Sequence, residues 1–121
     1  MCGVRRPDGV VMSEQTDEIE RVLAALADPT RRRILDAVAR RDEATATIIA
    51  TELPVSRQAV AKHLALLDRA GLIAGRRQGR EMRYAVRPEI LTTTAAWITD
   101  LAATWDARLA RIKRIAEADG E

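Results

Sequence analysis

The stretch that decides the fold of this 121-residue chain is Leu53–Ile73, LPVSRQAVAKHLALLDRAGLI. Ser56 is a residue type that favours helix N-caps, and Gly71 suits the position just after a helix end, so a helix is predicted from Ser56 to Ala70. The apolar side chains of that helix recur at spacings of three and four residues: Val60, Leu64 and Leu67. The remaining positions are mostly polar, and the pattern predicts a helix that packs on one side and makes contacts with another molecule on the other.

Three more helices are predicted before this one. Hydrophobic spacing predicts a first helix of roughly Asp17–Ala27. Asp28-Pro29 then supplies an N-cap and a first-turn proline, which open a second helix. Thr45 caps a short third helix, about Ala46–Leu53, which Pro54 interrupts. A short helix, a tight break and a second helix with one apolar face are typical of the helix-turn-helix.

After Gly71 the periodicity changes. Leu72–Ala74 and Met82–Val86 are predicted as two short strands, joined by a hairpin tip of sequence GRRQGRE, Gly75–Glu81. One long amphipathic helix follows, from Glu89 to about Ala116. The predicted fold is therefore mainly α with a small β-hairpin, a winged helix-turn-helix flanked by a first and a last helix. The predicted boundaries are a disordered N-terminal tail at 1–16, one folded domain at 17–116, and a C-terminal tail at 117–121.

The composition excludes several classes of protein. The chain has one Tyr, two Trp and no Phe, too few aromatic rings for the stacking platform of a single-strand nucleic-acid binder. Its one cysteine, Cys2, cannot build a disulfide framework or a multi-thiolate metal cage within one chain. We find neither an apolar run long enough to span a membrane nor the apolar segment of a signal peptide. A cytoplasmic protein is the expectation.

The net charge of +2 conceals a strong segregation of charge. Between Pro54 and Arg87 there are eight Lys and Arg and only two Asp and Glu, a net charge of +6. The rest of the chain therefore carries −4. A basic segment that coincides with a predicted helix-turn-helix and hairpin is the electrostatic pattern of a protein that binds nucleic acid.

The side-chain types in this basic segment suit double-stranded DNA. Arg can bond bidentately to guanine and Gln to adenine, and Ala leaves room for a thymine methyl group, when a helix lies in the major groove. A basic hairpin tip with glycines suits the minor groove. The candidate DNA-binding residues are Ser56, Arg57, Gln58, Ala61, Lys62, His63, Arg76, Arg77, Arg80 and Arg83.

Other functions stay open at this point. Arginines on a surface hairpin are often only solvated, and a winged helix can serve as a protein-interaction module that does not bind DNA. The second alternative predicts an apolar or acidic recognition face, whereas this one has Arg57, Gln58 and Lys62. An enzyme is not expected, because His63 is the chain's one histidine and lies in the presumed DNA-binding helix.

Three stretches resemble the ArsR/SmtB family of dimeric winged-helix repressors. They are LADPTRRRIL (Leu26–Leu35), LPVSRQAVAKHLALLDRAGLI (Leu53–Ile73) and GREMRYAV (Gly79–Val86), and the resemblance covers about residues 17–116. It implies that residues 17–116 form a DNA-binding and dimerisation domain, with a homodimer built by the first and last helices. It also implies repression of transcription at an inverted repeat. The family's recognition helix corresponds to Ser56–Leu67 and its wing to Gly75–Arg83.

The resemblance also implies a dimer interface. It is predicted to contain Ile19, Leu23, Leu26, Trp97, Leu101, Trp105, Leu109 and Ile112. An alternative is that Trp97 and Trp105 line a pocket for a small ligand or a partner between protomers.

Many members of that family release DNA when they bind a metal, and here the sequence departs from them. The segment Thr51–Ser56, where the family carries a cysteine pair, has neither Cys nor His. The last helix has Asp100 and Asp106 but no His. We therefore predict no metal site and no cofactor, as in the subgroup that lacks metal-sensing ligands. His63 is expected to pack or to hydrogen-bond a phosphate, and an unidentified small molecule or protein is left open as inducer.

Overall fold

A computed structural model of the chain describes the backbone of residues 10–119 and the side chains of residues 16–118. Within that range the elements follow in the predicted order. They are α1 (Val10–Leu26), α2 (Pro29–Arg41), α3 (Ala46–Glu52), α4 (Arg57–Arg69), β1 (Ile73–Gln78), β2 (Glu81–Val86) and α5 (Glu89–Asp119). The chain divides into two units, Met1–Leu91 and Thr92–Glu121, and α5 begins in the first and continues through the second. The predicted winged helix-turn-helix fold is confirmed.

Each of the three predicted N-caps is made by the side chain that the sequence indicates. Asp28 Oδ2 accepts a hydrogen bond from the backbone N–H of Arg31 at 3.0 Å. Thr45 accepts from Ile48 at 3.1 Å, and Ser56 accepts from Ala59 at 3.1 Å. These bonds satisfy N–H groups that have no partner within their helix, which is why α2, α3 and α4 begin where they do.

The end of α4 is a Schellman motif built on Gly71. Gly71 has φ +82°, a backbone conformation that glycine adopts without the steric cost of a Cβ. The N–H of Gly71 donates to Asp68 O at 2.9 Å and that of Leu72 to Leu67 O at 3.0 Å. The chain therefore leaves α4 and enters β1 almost at once.

The core of the first unit is aliphatic and is shared by α1 to α4 and the start of the hairpin. Because α4 contributes an apolar face to it, the polar face of α4 is turned to solvent. The largest fully buried side chains are Val22, Ile34, Val38, Ile49, Val60, Leu64, Leu67, Leu72 and Ile73.

The hairpin is longer and its tip tighter than predicted. β1 and β2 are antiparallel, and Gln78 pairs with Glu81, so the tip is only Gly79-Arg80. Gly79 has φ +65°, which permits a two-residue turn that matches the twist of the strands. The tip predicted at Gly75–Glu81 is corrected accordingly, since Arg76 and Arg77 belong to a paired strand. Ala44, just before α3, also pairs with Tyr84 through two backbone hydrogen bonds of 3.0 and 2.8 Å.

Two helix bounds differ from the prediction. α1 begins at Val10, seven residues before the predicted Asp17, because Met, Glu and Gln favour helix even where apolar periodicity is absent. Residues 10–16 of the predicted tail are therefore helical, and residues 1–9 lie outside the described residues. α5 reaches Asp119, three residues beyond the predicted end.

The second unit is the main part of α5, and it carries a stripe of exposed apolar side chains. From Ile98 onward they recur every three or four residues and so lie along one face, with Trp97 beside them. Their exposed fractions run from 39% to 59%: Trp97, Ile98, Leu101, Trp105, Leu109, Ile112 and Ile115. Over the part of the chain that the structure describes, we find no helix both long and apolar enough to cross a membrane.

Candidate nucleic-acid interface

The exposed face of α4 carries four of the predicted DNA-binding side chains. Arg57, Gln58, Ala61 and Lys62 are all exposed. Three of them lie broadly opposite the buried apolar positions, and Arg57 lies nearer the edge of that face. The same face continues through exposed Arg69, one turn of helix after Ala65. Arg69 is not among the predicted DNA-binding residues, although its spacing of seven residues from Lys62 places it on the same face.

The start of α4 offers backbone donors as well as side chains. The Ser56 side chain accepts a hydrogen bond from the N–H of Ala59, and the Ser56 carbonyl oxygen accepts one from the N–H of Val60 at 2.9 Å. The N–H groups of Arg57 and Gln58 belong to the first turn, which has no intrahelical acceptor for them. Such groups at a helix N-terminus favour an anion such as a phosphate.

Arg57 is held by the neighbouring helix. Its Nε donates a hydrogen bond to Thr47 Oγ1 in α3 at 3.0 Å. That bond spans the turn between α3 and α4 and orients the guanidinium group, whose terminal nitrogens stay exposed. A fixed orientation reduces the conformational entropy lost when an arginine contacts a base.

His63 does not lie with the other candidates. It is half-buried, with Nδ1 3.4 Å from Arg31 Nη1 and 3.9 Å from Asp28 Oδ2. Its side chain therefore faces the start of α2 and not the exposed face that holds Gln58 and Lys62. Of the two roles predicted for His63, this position favours packing.

Arg31 and Arg32 have a structural role that the sequence analysis did not predict. Arg31 donates to the carbonyl oxygens of Ala25 at 2.7 Å and Ala24 at 3.2 Å, and Arg32 donates to that of Leu26. These carbonyls lie in the last turn of α1, where no N–H group of the same helix is available to donate to them. Positive side chains at a helix C-terminus also interact favourably with the helix dipole.

An acidic residue from the connection between α2 and α3, Glu43, lies beside the arginines of the wing. Arg76 Nη2 donates to both carboxylate oxygens of Glu43, at 3.0 and 2.8 Å. Arg83 lies 3.9 Å from Glu43 and also pairs with Glu81 at 3.1 Å. The hydrogen bond from Arg76 lowers the pKa of Glu43, against an opposing effect of burial, and the charges of Arg76 and Arg83 lower it further. Glu43 is thus ionised and shared by both strands of the hairpin.

A tight turn brings Glu43 to the wing. Asp42 has φ +66° and ψ −52°, and the N–H of Glu43 donates to Arg41 O at 2.6 Å. This is a γ-turn, a conformation that is strained for a residue with a Cβ. The turn ends α2 and directs the chain into the Ala44–Tyr84 pairing, which places the Glu43 carboxylate beside the hairpin.

The four wing arginines therefore fall into two pairs. Arg76 and Arg83 are cross-strand partners on one face of the hairpin, and both meet Glu43. Arg77 faces the other way, because side chains alternate along a strand, and Arg80 lies at the tip. Among the residues that the structure describes, neither Arg77 nor Arg80 forms an ion pair.

The predicted interface residues differ in how much surface they offer. Ile19 is 3% exposed within the single chain, whereas Leu23 is 38% exposed and Leu26 is half-buried. The α5 candidates are all exposed, and the Arg108 guanidinium lies 5.4 Å from the ring centre of Trp105. Within the described ranges, no three His, Cys, Asp or Glu side chains are grouped as a metal site would require, and Cys2 lies outside those ranges.

Comparisons with known proteins agree with this geometry. Residues 26–76 match a family model described as a helix-turn-helix domain. The transcriptional repressor SdpR of Bacillus subtilis is 32% identical over 64% of this chain and 84% of its own length. Among solved structures, an ArsR-like transcriptional regulator from Rhodococcus sp. RHA1 is 45% identical over 85% of this chain and 96% of that one, with a TM-score of 0.76. A homodimeric winged helix-turn-helix DNA-binding domain from Mycobacterium bovis is 28% identical over 90% and 94%, with a TM-score of 0.62.

These likenesses and the basic face of α4 define a class, that of DNA-binding transcriptional regulators with a winged helix-turn-helix. Within that class, the chain belongs to the ArsR/SmtB family. The family is a class of regulators and not of enzymes. The resemblance that the sequence motifs indicate is therefore confirmed.

Proposed function

We propose that this regulator is a homodimeric repressor that binds an inverted-repeat operator, with α4 in the major groove and the hairpin at the adjacent minor groove. The observation that carries the proposal is the arrangement of basic groups that form no ion pair within the described ranges. Lys62 lies on the exposed face of α4, and Arg77 and Arg80 lie on the hairpin that follows it. The name of the repressor SdpR supports repression as the outcome.

The side chains at the start of α4 are proposed to read bases. Gln58 and Arg57 have the donor and acceptor patterns for adenine and guanine, and Ala61 leaves room beside them for a thymine methyl group. Lys62 is a point charge one turn further along the helix, and we assign it to a phosphate. His63 is assigned to packing against Asp28 and Arg31.

The apolar stripe of α5 is proposed to join a second copy of the chain. A single helix with half-exposed tryptophans and leucines leaves apolar area in water, and burying it yields about 25 cal/mol per Å². The homodimeric relative supports this assignment. Trp105→Ala should shift sedimentation towards the monomer, whereas Asp106→Asn, next to it but off the stripe, should not. If Trp105→Ala stayed dimeric yet lost its response to an inducer, the pocket alternative would be favoured instead.

The remaining assignments are part of the same proposal. The chain works without catalysis and without a metal-sensing site, and it acts on DNA in the cytoplasm of its cell. The alternative, a winged-helix module that binds protein only, requires an apolar or acidic recognition face. The exposed side chains Gln58, Lys62 and Arg69 do not supply such a face.

Footprinting on the DNA upstream of the chain's own gene tests the proposal. We expect protection of two half-sites about one helical turn apart, roughly 10 base pairs from centre to centre. Lys62→Gln should weaken binding, whereas the matched change Lys113→Gln, on α5, should have little effect. Absence of any protected site at moderate salt, with folded dimeric protein, would contradict the proposal.

A further inference from the structure

A groove of about 240 Å³ lies in the first unit, between α1 and the C-terminal end of α4. Its lining combines apolar side chains with three arginines. The apolar ones are Ala24, Ala25, Leu66 and Ala70, and the arginines are Arg21, Arg31 and Arg69. Leu66 is 40% exposed, although it lies on a helix whose other large apolar side chains are buried.

Two of the three arginines have no side-chain partner among the residues that the structure describes. Arg31 is committed to the carbonyl oxygens of Ala24 and Ala25. Arg21 and Arg69 make neither an ion pair nor a side-chain hydrogen bond among the described residues, although Glu18 lies one turn before Arg21 and Asp68 is adjacent to Arg69.

The terminal carbonyl groups of α1 and α4 are hydrogen-bonded without those two arginines. The final carbonyls of α1 are capped by Arg31 and Arg32, and those of α4 are capped by the Schellman hydrogen bonds at Gly71. The guanidinium groups of Arg21 and Arg69 are therefore available to a ligand beside an apolar surface.

We infer that this groove binds a small organic carboxylate, whose charge meets Arg21 and Arg69 and whose apolar body covers Leu66. Arginine matches a carboxylate because its planar fork of N–H donors can form two parallel hydrogen bonds. The apolar lining favours a hydrocarbon body over water. The groove is smaller than the pockets that hold drug-sized ligands, so the ligand is short.

The position of the groove makes the carboxylate an effector of DNA binding, an inference that rests on the proposed function. The ligand contacts α1 and the last turn of α4, so it favours whichever arrangement of those two helices fits it better. Because coupling between two ligands is reciprocal, DNA must change the affinity for the carboxylate by the same factor as the carboxylate changes the affinity for DNA.

Titration of the isotope-labelled dimer with hexanoate, without DNA, tests the site. We expect amide shifts confined to residues 20–25 and 66–71, together with shifts of the Arg21 and Arg69 Nε–H signals. Affinity should rise by up to about fifteenfold from butanoate to hexanoate, since each buried methylene contributes up to about fourfold. Two probes should bind much more weakly than hexanoate. Hexanamide has the same hydrocarbon chain without the negative charge, and sulfate has negative charge without a hydrocarbon chain.

Variants test the arginines. Arg21→Gln with Arg69→Gln should weaken hexanoate binding roughly tenfold or more, because hydrogen bonds to charged groups are lost. The matched control, Arg33→Gln with Arg111→Gln, removes two exposed charges elsewhere and should leave the affinity unchanged. Failure of hexanoate to shift these signals at up to about 10 mM, or equal binding of hexanamide, overturns the site.

The effector role is tested separately, by measuring operator affinity with and without hexanoate. A change in affinity that the double arginine variant abolishes supports the role. Hexanoate binding with unchanged operator affinity overturns the effector role, and a chain that binds hexanoate but no DNA points to failure of the proposed function.

Discussion

The division of the wing arginines predicts that only one pair contributes to the salt dependence of DNA binding. Arg77→Gln removes a guanidinium that has no partner among the described residues. The matched control is Arg76→Gln combined with Glu43→Gln, which removes an ion pair of zero net charge from the same hairpin. Both variants keep the hairpin register, so any difference in DNA binding reports which guanidinium meets a phosphate.

The size of the effect follows from counterion release. Each phosphate contact contributes about 0.9 to the slope of log affinity against log salt concentration. Two copies of the chain on one operator would lose two contacts, so the slope should fall by about 1.8 in Arg77→Gln. Between 0.05 and 0.2 M salt, roughly a fourfold range, the variant should then lose about twelvefold less affinity than the unaltered protein.

Fluorescence anisotropy with a labelled operator, measured at six or so salt concentrations, gives these slopes directly. The paired control should keep the full slope, because the Arg76 charge is already neutralised by Glu43 before DNA arrives. If the paired control lost as much slope as Arg77→Gln, Arg76 would be leaving Glu43 for a phosphate, and the reasoning would be refuted.

Three other predictions concern the Ser56 cap, the turn at Gly71 and the ion pairs of Glu43. Ser56→Ala should destabilise the fold by about 1 kcal/mol through loss of the α4 cap, measured by urea unfolding, whereas Ser56→Asp should keep the cap but weaken DNA binding by repelling phosphate. Gly71→Ala should lower the free energy of unfolding by about 1–2 kcal/mol through backbone strain alone, since the nearest side-chain atom to the new Cβ is Ile90 Cγ2 at 3.9 Å. Gly71→Asn should lower it less, because Asn adopts positive φ more readily, and equal losses would argue against strain. The pKa of Glu43 is lowered in the fold, so the contribution of its ionised carboxylate to stability is present above the ordinary glutamate pKa of 4.5 and is lost as pH falls through the lower folded value. The melting temperature of the unaltered protein should therefore drop more steeply below about pH 4.5 than that of Glu43→Gln. Parallel curves of melting temperature against pH would contradict this.

The features that the sequence predicted well are those that depend on near neighbours. Asp28, Thr45 and Ser56 each cap a helix through a backbone N–H three residues away, and Gly71 closes α4 within two residues of its end. Residue type and order are sufficient to recognise such interactions. The buried face of α4 was predictable for the same reason, since helical spacing determines it.

The features that were missed depend on residues far apart in the chain. Glu43 and Arg76 are separated by 33 positions, and no local pattern joins them. The predicted hairpin tip is too broad because polar residues next to glycine suit a turn as well as a strand, whereas strand pairing with β2 extends to Gln78. His63 belongs by sequence to the recognition helix, but its side chain is directed by Asp28 and Arg31 from another helix.

The junction at Gly71 has a consequence for the DNA that this protein can recognise. Only residues 70–72 separate α4 from β1, and Leu72 is bonded both to the end of α4 and, through Arg87, to the end of β2. These bonds fix the position of α4 relative to the hairpin. Within one half-site, base changes should be tolerated through exchange of exposed side chains, but a single inserted base pair between the two points of contact should not. Regulators of this design can acquire new target sequences far more easily than new target lengths.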